Sequence, residues 1–195
     1  MKTYQSISLK IRWQDILARI EPNDMTLYLR DDKNFTVGWD FHSQLDFQDE
    51  IDFDLLDAFI KKNKGDFIFT SLAYDLKNKI EPKLSSRNIN YINFSLVELK
   101  CPKNVIQCIN GDLIYFVGLA QIEIEAFFSK KVSISSRVHK SINLIQIETK
   151  KEYTDNVKLI KNYIQRGDIY ETNYCTGFNG RFNYLDPITT FDKLY

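Results

Sequence analysis

Apolar and polar positions along the chain alternate between two periods. "TLYLRDDKNFTVGWDF", Thr26 to Phe41, is two alternating runs around a polar turn over Asp31 to Asn34, the pattern of paired strands. "DFDLLDAFIKKNKG" changes to helical spacing, with a stripe of Leu55, Leu56, Phe59 and Ile60, Asp52 as N-cap and Gly65 as stop. "DFIFTSLAYDL" and "YINFSLVEL" are aromatic and β-branched enough for strands. In "VIQCINGDLIYFVGL" the pair Asn110-Gly111 stands between two apolar runs, a strong short-range hairpin signal. The first 148 residues are therefore expected to be rich in sheet. The alternation of strand and helix signals along the chain as a whole predicts an α+β, mixed α/β, architecture.

The stretch "TKKEYTDNVKLIKNYIQRGDIYETNYCTGF" condenses several local signals. Thr149 followed by Glu152 is a capping box that opens a helix, and Tyr153, Val157, Ile160 and Ile164 form its apolar stripe. Gly167 ends that helix. From Ile169 the side chains are predicted to alternate across a strand, with Ile169, Glu171, Asn173 and Cys175 on one face and Tyr170, Thr172, Tyr174, Thr176 and Phe178 on the other. The aromatic face reads as core. The face with Glu171 and Asn173 is either solvated or lines a polar pocket, and periodicity does not choose between them. Asn179-Gly180 is expected to turn the strand into a hairpin with "RFNYL", and Asp186 with Pro187 to start a last helix whose stripe is Ile188, Phe191 and Leu194. The expected division is 1–148 and 149–195.

Charge and composition then remove whole classes of function. Lys plus Arg number 26 and Asp plus Glu number 26, so no electrostatic footprint for nucleic acid or an anionic membrane is present. The N-terminus lacks an apolar targeting core, and "LIYFVGLA" is too short to span a bilayer, so a cytoplasmic protein is expected. Cys101, Cys108 and Cys175 lack metal or disulfide spacing and read as buried free thiols. His42 and His139 have no His or Cys partner at ligand spacing and read as surface or satisfied histidines. Trp13 and Trp39 read as packing residues. The acidic run Asp46 to Asp54 lacks the spacing of a calcium loop and reads as a solvated helix start, and the three Gly-Asp pairs read as turns.

Three segments carry a resemblance to a known family. "EYTDNVKLIKNYIQRGDIYETNYCTGF" resembles the opening of the chorismate-binding domain of anthranilate synthase component I and aminodeoxychorismate synthase component I, where a helix leads into G-D-I-Y-[QE]-x-N. "SLAYDLKNKIEPKLSS" is similar to the S-Y-D-L-K-N segment of the N-terminal region, and "DPITTFDKLY" to the family's D-P-x-x-x-[YF]-x-x-L. Asn173 leans the likeness toward the branch that makes 4-amino-4-deoxychorismate for para-aminobenzoate and folate.

The resemblance implies a fold of antiparallel sheets packed with outer helices, like that of these synthases and incomplete in this chain, and it implies that Glu171 and Asn173 form a wall of the chorismate pocket. Glu171 stands where related isochorismate-forming enzymes carry a water-activating lysine, which fits ammonia as the nucleophile. It also implies magnesium as cofactor and a glutamine amidotransferase subunit as the ammonia-supplying partner. The nucleophilic lysine motif of the aminodeoxychorismate branch, P-I-K-G-T, and the family's metal-holding acidic motifs do not occur in this chain, so no catalytic residue and no metal ligand is assigned here, and the chain is expected to be the N-terminal portion of a longer enzyme. The family's L-L-E-S tryptophan motif is also missing; the nearest run is "LYLRDD". The alternatives are anthranilate synthase component I and a non-catalytic module of this kind that only binds a small molecule or a partner.

Overall fold

The computed structural model describes residues 4–8, 10–21, 24–81, 83, 94–111, 113–130, 143–181 and 186–195. The chain forms two compact units, Met1–Ile134 with Leu194–Tyr195, and Ser135–Lys193. The first contains strand β1 (Tyr4–Ser8), helix α1 (Trp13–Leu17), β2 (Met25–Asp31), β3 (Asn34–Phe47), α2 (Phe53–Lys62), β4 (Phe69–Leu72), α3 (Lys77–Ile80), β5 (Val97–Ile109), β6 (Leu113–Val117) and α4 (Gln121–Ser129). The second contains β7 (Ile145–Gln146), α5 (Lys150–Gln165), β8 (Phe178–Asn179) and, as far as Lys193, α6 (Pro187–Leu194). The protein is α+β with an antiparallel sheet, and among the described residues no helix is long and apolar enough to cross a membrane.

The six strands of the main sheet run in the order β1-β6-β5-β3-β2, with β4 paired to the first half of β5. Its axis is the pairing of β3 with β5 along their whole lengths, from Phe35 opposite Cys108 to Phe47 opposite Val97. Two strands were expected from "YINFSLVEL" and "VIQCI", yet Val97–Ile109 is one continuous strand. Pro102, which has no N–H to give a ladder, sits opposite Phe41, and the register shifts there. Phe41 faces Pro102 and Ser43 faces Cys101, so His42 is an extra residue on β3, a bulge that absorbs the missing donor.

Side chains alternate along β5, so Ile106 and Cys108 point to one face and Val97, Leu99 and Cys101 to the other, and all five are buried. Val105, on the same face as Val97, is buried as well, so the half of β5 beyond Pro102 is covered on both faces. On one half, Val97, Leu99, Cys101, Phe47 and Phe59 of α2 form a core, with Leu45, Leu56, Ile68 and Leu76 packed on it. Leu55 and Ile60 of the expected α2 stripe are instead 48% and 46% exposed, because the sheet covers a narrower arc of the helix than its apolar residues span. Asp52 caps α2 as expected, accepting from the amides of Asp54 and Leu55 at 3.0 and 2.9 Å.

Elsewhere in the unit α4 packs through its aromatics: Phe127 stacks on Trp39 at 5.6 Å, and Phe128 meets Phe116 of β6 edge-on at 5.8 Å. Trp13 is fully buried and its indole N–H reaches Asp32 at 3.4 Å. The hairpin between β5 and β6 forms as expected, with Asn110 and Gly111 at φ 57° and 80°. The β2–β3 turn closes from Asp31 to Asn34 as expected. His42 is satisfied by Asp66 at 3.4 Å, whereas His139 lies outside the described residues. Cys101 and Cys108 are buried, but Cys175 is exposed, contrary to the expectation for all three thiols.

The second unit is built differently: among its described residues none is buried. Its helices are held at their ends. Asp186 accepts from the amide of Thr189 at 3.1 Å at the start of α6, as expected, while Phe191 and Leu194 of the α6 stripe are 42% and 83% exposed.

Two glycines of the sheet unit separate backbone strain from close approach. Gly65 and Gly118 both have positive φ, 92° and 88°, but a Cβ on Gly65 would meet nothing within 4 Å, while one on Gly118 would lie 2.1 Å from the Lys103 carbonyl oxygen. Gly65→Ala is expected to cost about 1 kcal/mol and Gly118→Ala about 3 kcal/mol or more in chemical denaturation. Equal losses at the two sites would contradict the packing of the β6 end against β5.

Candidate functional site

The segment that carries Glu171 and Asn173 is placed by what precedes it. Thr149 opens α5 through a reciprocal cap: its hydroxyl accepts from the Glu152 amide at 3.2 Å, and the Glu152 carboxylate accepts from the Thr149 amide at 2.8 Å and from its hydroxyl at 2.7 Å. These hydrogen bonds from Thr149 hold the Glu152 carboxyl below its ordinary range. At the other end the Gly167 amide donates to the Ile164 carbonyl and the Asp168 amide to the Tyr163 carbonyl, both at 3.0 Å. This pair of bonds closes the helix at the expected glycine and turns the chain away from the helix axis.

Beyond that point expectation and structure part. Residues 171–177 are not a strand; only Phe178–Asn179 pairs, with Ile145–Gln146. Strand alternation requires a partner ladder, and the ladder available here is two residues long. Tyr170 is 92% exposed and Phe178 58% exposed, so the aromatic positions do not form the expected core. Glu171 and Asn173 are both exposed on irregular backbone. The hairpin partner "RFNYL" is described only at Arg181. On α5 the expected stripe is only half-covered, with Val157 and Ile160 half-buried and Tyr153 and Ile164 38% and 39% exposed.

What the structure does bring together beside Glu171 and Asn173 is a three-residue polar ring. The Tyr174 hydroxyl donates to the Glu148 carboxylate, and the Asn156 side-chain amide donates to the Glu148 carboxylate and to the Tyr174 hydroxyl, each at 2.7 Å. The Tyr174 ring lies 5.4 Å from that of Tyr153. Donation to the Glu148 carboxylate, followed by burial, pushes the Tyr174 phenol up from its ordinary value. No sequence signal pointed to this ring, since its members are separated by 8 and 18 residues and belong to no short motif.

A pocket of about 380 Å³ lies in the sheet unit, lined by Thr26, Tyr28, Thr36, Phe69, Glu98 and Lys100 among others. Gly38 makes room for one wall: a Cβ there would fall 2.4 Å from the Phe69 ring. The Lys100 ammonium and Glu98 carboxylate pair at 2.7 Å, and the Gln107 amide reaches the Thr36 hydroxyl at 3.3 Å. A glycine inside a strand pattern was the one trace of this pocket in the sequence. Among the described residues no three His, Cys, Asp or Glu side chains converge on a point that could hold a metal ion, so no residue here is assigned to magnesium.

No protein-family model matches the chain, and no curated protein matches it.

The cap yields a direct expectation. Thr149→Ala should lower helix stability by about 1 kcal/mol, since one N-terminal donor loses its acceptor. Glu152 has a depressed folded-state pKa, so its contribution is present at neutral pH and is lost as the pH falls through that lowered value. Amide exchange in the first turn of α5, followed with pH in both proteins, checks both statements; identical exchange in the variant would remove the cap from the account.

Proposed function

We propose that the chain is the N-terminal portion of an aminodeoxychorismate synthase component I, which aminates chorismate to 4-amino-4-deoxychorismate with ammonia from a glutamine amidotransferase subunit. The observation that carries this reading is the run from Thr149 to Asn173. Its capped helix, glycine closure and "GDIYETN" resemble the entry to the chorismate-binding domain, and α5 has the start and stop that this resemblance calls for. Exposure of Glu171 and Asn173 leaves both free to meet a substrate. In this reading the two residues line the pocket, Glu171 replaces a water-activating lysine, and the fold is the antiparallel-sheet arrangement of these synthases. Magnesium, when bound, neutralises the substrate carboxylate. This chain contributes pocket wall and leaves the chemical step to groups it does not contain. In this reading the enzyme is cytoplasmic.

A second reading, a non-catalytic small-molecule-binding module, is favoured by one observation: the pocket between β2, β3 and β4 is formed by the sheet unit alone.

The readings separate in one assay. The 195-residue chain given chorismate, ammonia and magnesium is expected to form neither aminodeoxychorismate nor anthranilate, whereas a protein joining it to the lysine and acidic motifs is expected to form the former. In that protein Glu171→Ala should lower kcat/KM by about tenfold or less, because a pocket-lining group contributes less than one that transfers a proton. The thermal midpoint should not move, since surface substitutions usually stay within about 0.5 kcal/mol. Full activity in the variant would return Glu171 to the solvent.

A further inference from the structure

We propose that Glu148, Asn156 and Tyr174 form a positioning clasp that fixes the irregular segment between Gly167 and Phe178 against α5, and thereby sets where Glu171 and Asn173 stand. The relevance of those two residues rests on the reading above; the clasp itself rests on geometry.

A segment without a strand ladder must be located by isolated anchors. From Asp168 to Gly177 only Tyr174 and Thr176 are even half-buried, and every other residue is exposed. Thr176 receives the Gln146 side-chain amide at 3.3 Å, and the Gly177 carbonyl receives the Ile147 amide at 2.9 Å, so the C-terminal end is tied to the 145–148 stretch. The N-terminal end is tied to α5 by the Asp168 amide. Tyr174 is the tie between these ends, next to Asn173 and three residues from Glu171.

Its hydrogen bonding is closed. The phenol has one proton, given to Glu148, and accepts one from Asn156; the Asn156 amide has two protons, one for each partner. Glu148 lies just before the cap of α5, and Asn156 lies on α5 itself, so the ring joins the segment to both the start and the body of that helix. Two of the three bonds end on the Glu148 carboxylate, a stronger acceptor than a neutral oxygen. Tyr153 supports the Tyr174 ring from the same helix.

Three substitutions test the clasp by hydrogen exchange of the complete chain. Tyr174→Phe keeps the ring and removes the hydroxyl, and is expected to speed exchange of the Ile147 amide, which donates to the Gly177 carbonyl, by about tenfold while leaving the interior of α5 unchanged. Glu148→Leu should do the same, and the double variant should exchange no faster than either single one, because both remove one shared interaction. Glu148→Gln keeps an acceptor oxygen and should restore most of the protection; in wild type the Tyr174 phenol, followed by its ring-carbon resonance, should titrate at higher pH than in Glu148→Gln. Unchanged exchange in Tyr174→Phe, or additive effects in the double variant, would overturn the proposal. If exchange quickens as expected but the complete enzyme's chorismate turnover in Tyr174→Phe matches wild type, the clasp stands and the assignment of Glu171 and Asn173 to the pocket falls.

Discussion

The pairing of β3 with β5 is the interaction on which the larger unit depends. Backbone N–H and C=O groups must be paired wherever water is excluded, and this ribbon supplies partners for β2 on one edge and for β6 and β4 on the other. Its weak point is Pro102, which cannot donate. The extra residue His42 on the facing strand accommodates that gap, and His42 is then held by Asp66 beyond the end of α2. One irregularity thus ties the ladder to the loop that leads into β4.

The core follows from the same ribbon. Because β5 is buried on one face before Pro102 and on both faces beyond it, no single apolar layer runs through the unit. Phe59 and Leu56 of α2 cover one half, and the removal of a side chain at Gly38 lets Phe69 lie on the sheet and wall the pocket. Cys101, Pro102, Val105, Ile106 and Cys108 are all fully buried within one stretch of β5, a run that simple alternation would not give to a strand with one wet face.

The smaller unit rests on a different balance. With no buried residue among those described, packing contributes little there, and order comes from ends and ties: the reciprocal cap at Thr149, the paired bonds at Gly167, the acceptor at Asp186 and the polar ring at Tyr174. Each satisfies backbone or side-chain groups locally. The site residues Glu171 and Asn173 are carried on chain that such ties locate, which is why a hydroxyl beside them bears on their position more than any apolar contact does.

How much of this was legible in the sequence depended on the range of the interaction. The start and stop of α5, the caps at Asp52 and Asp186, and the turns at Asp31–Asn34 and Asn110-Gly111 are decided by residues within a few positions of one another, and the sequence by itself determined them. It also determined the α+β class and the sheet-rich first part, since both follow from apolar periodicity. The continuity of β5 through Pro102 was decided by a bulge on a strand some 60 residues away, and the exposure of Leu55 and Ile60 by the width of sheet beneath α2. The failure of 171–177 to become a strand was decided by the absence of a long enough ladder, and the pocket and the Tyr174 ring by residues that meet only when distant segments fold together. Local hydrogen bonding is written in adjacent residues; pairing, burial and pocket shape depend on which surfaces meet, and those belong to the tertiary structure.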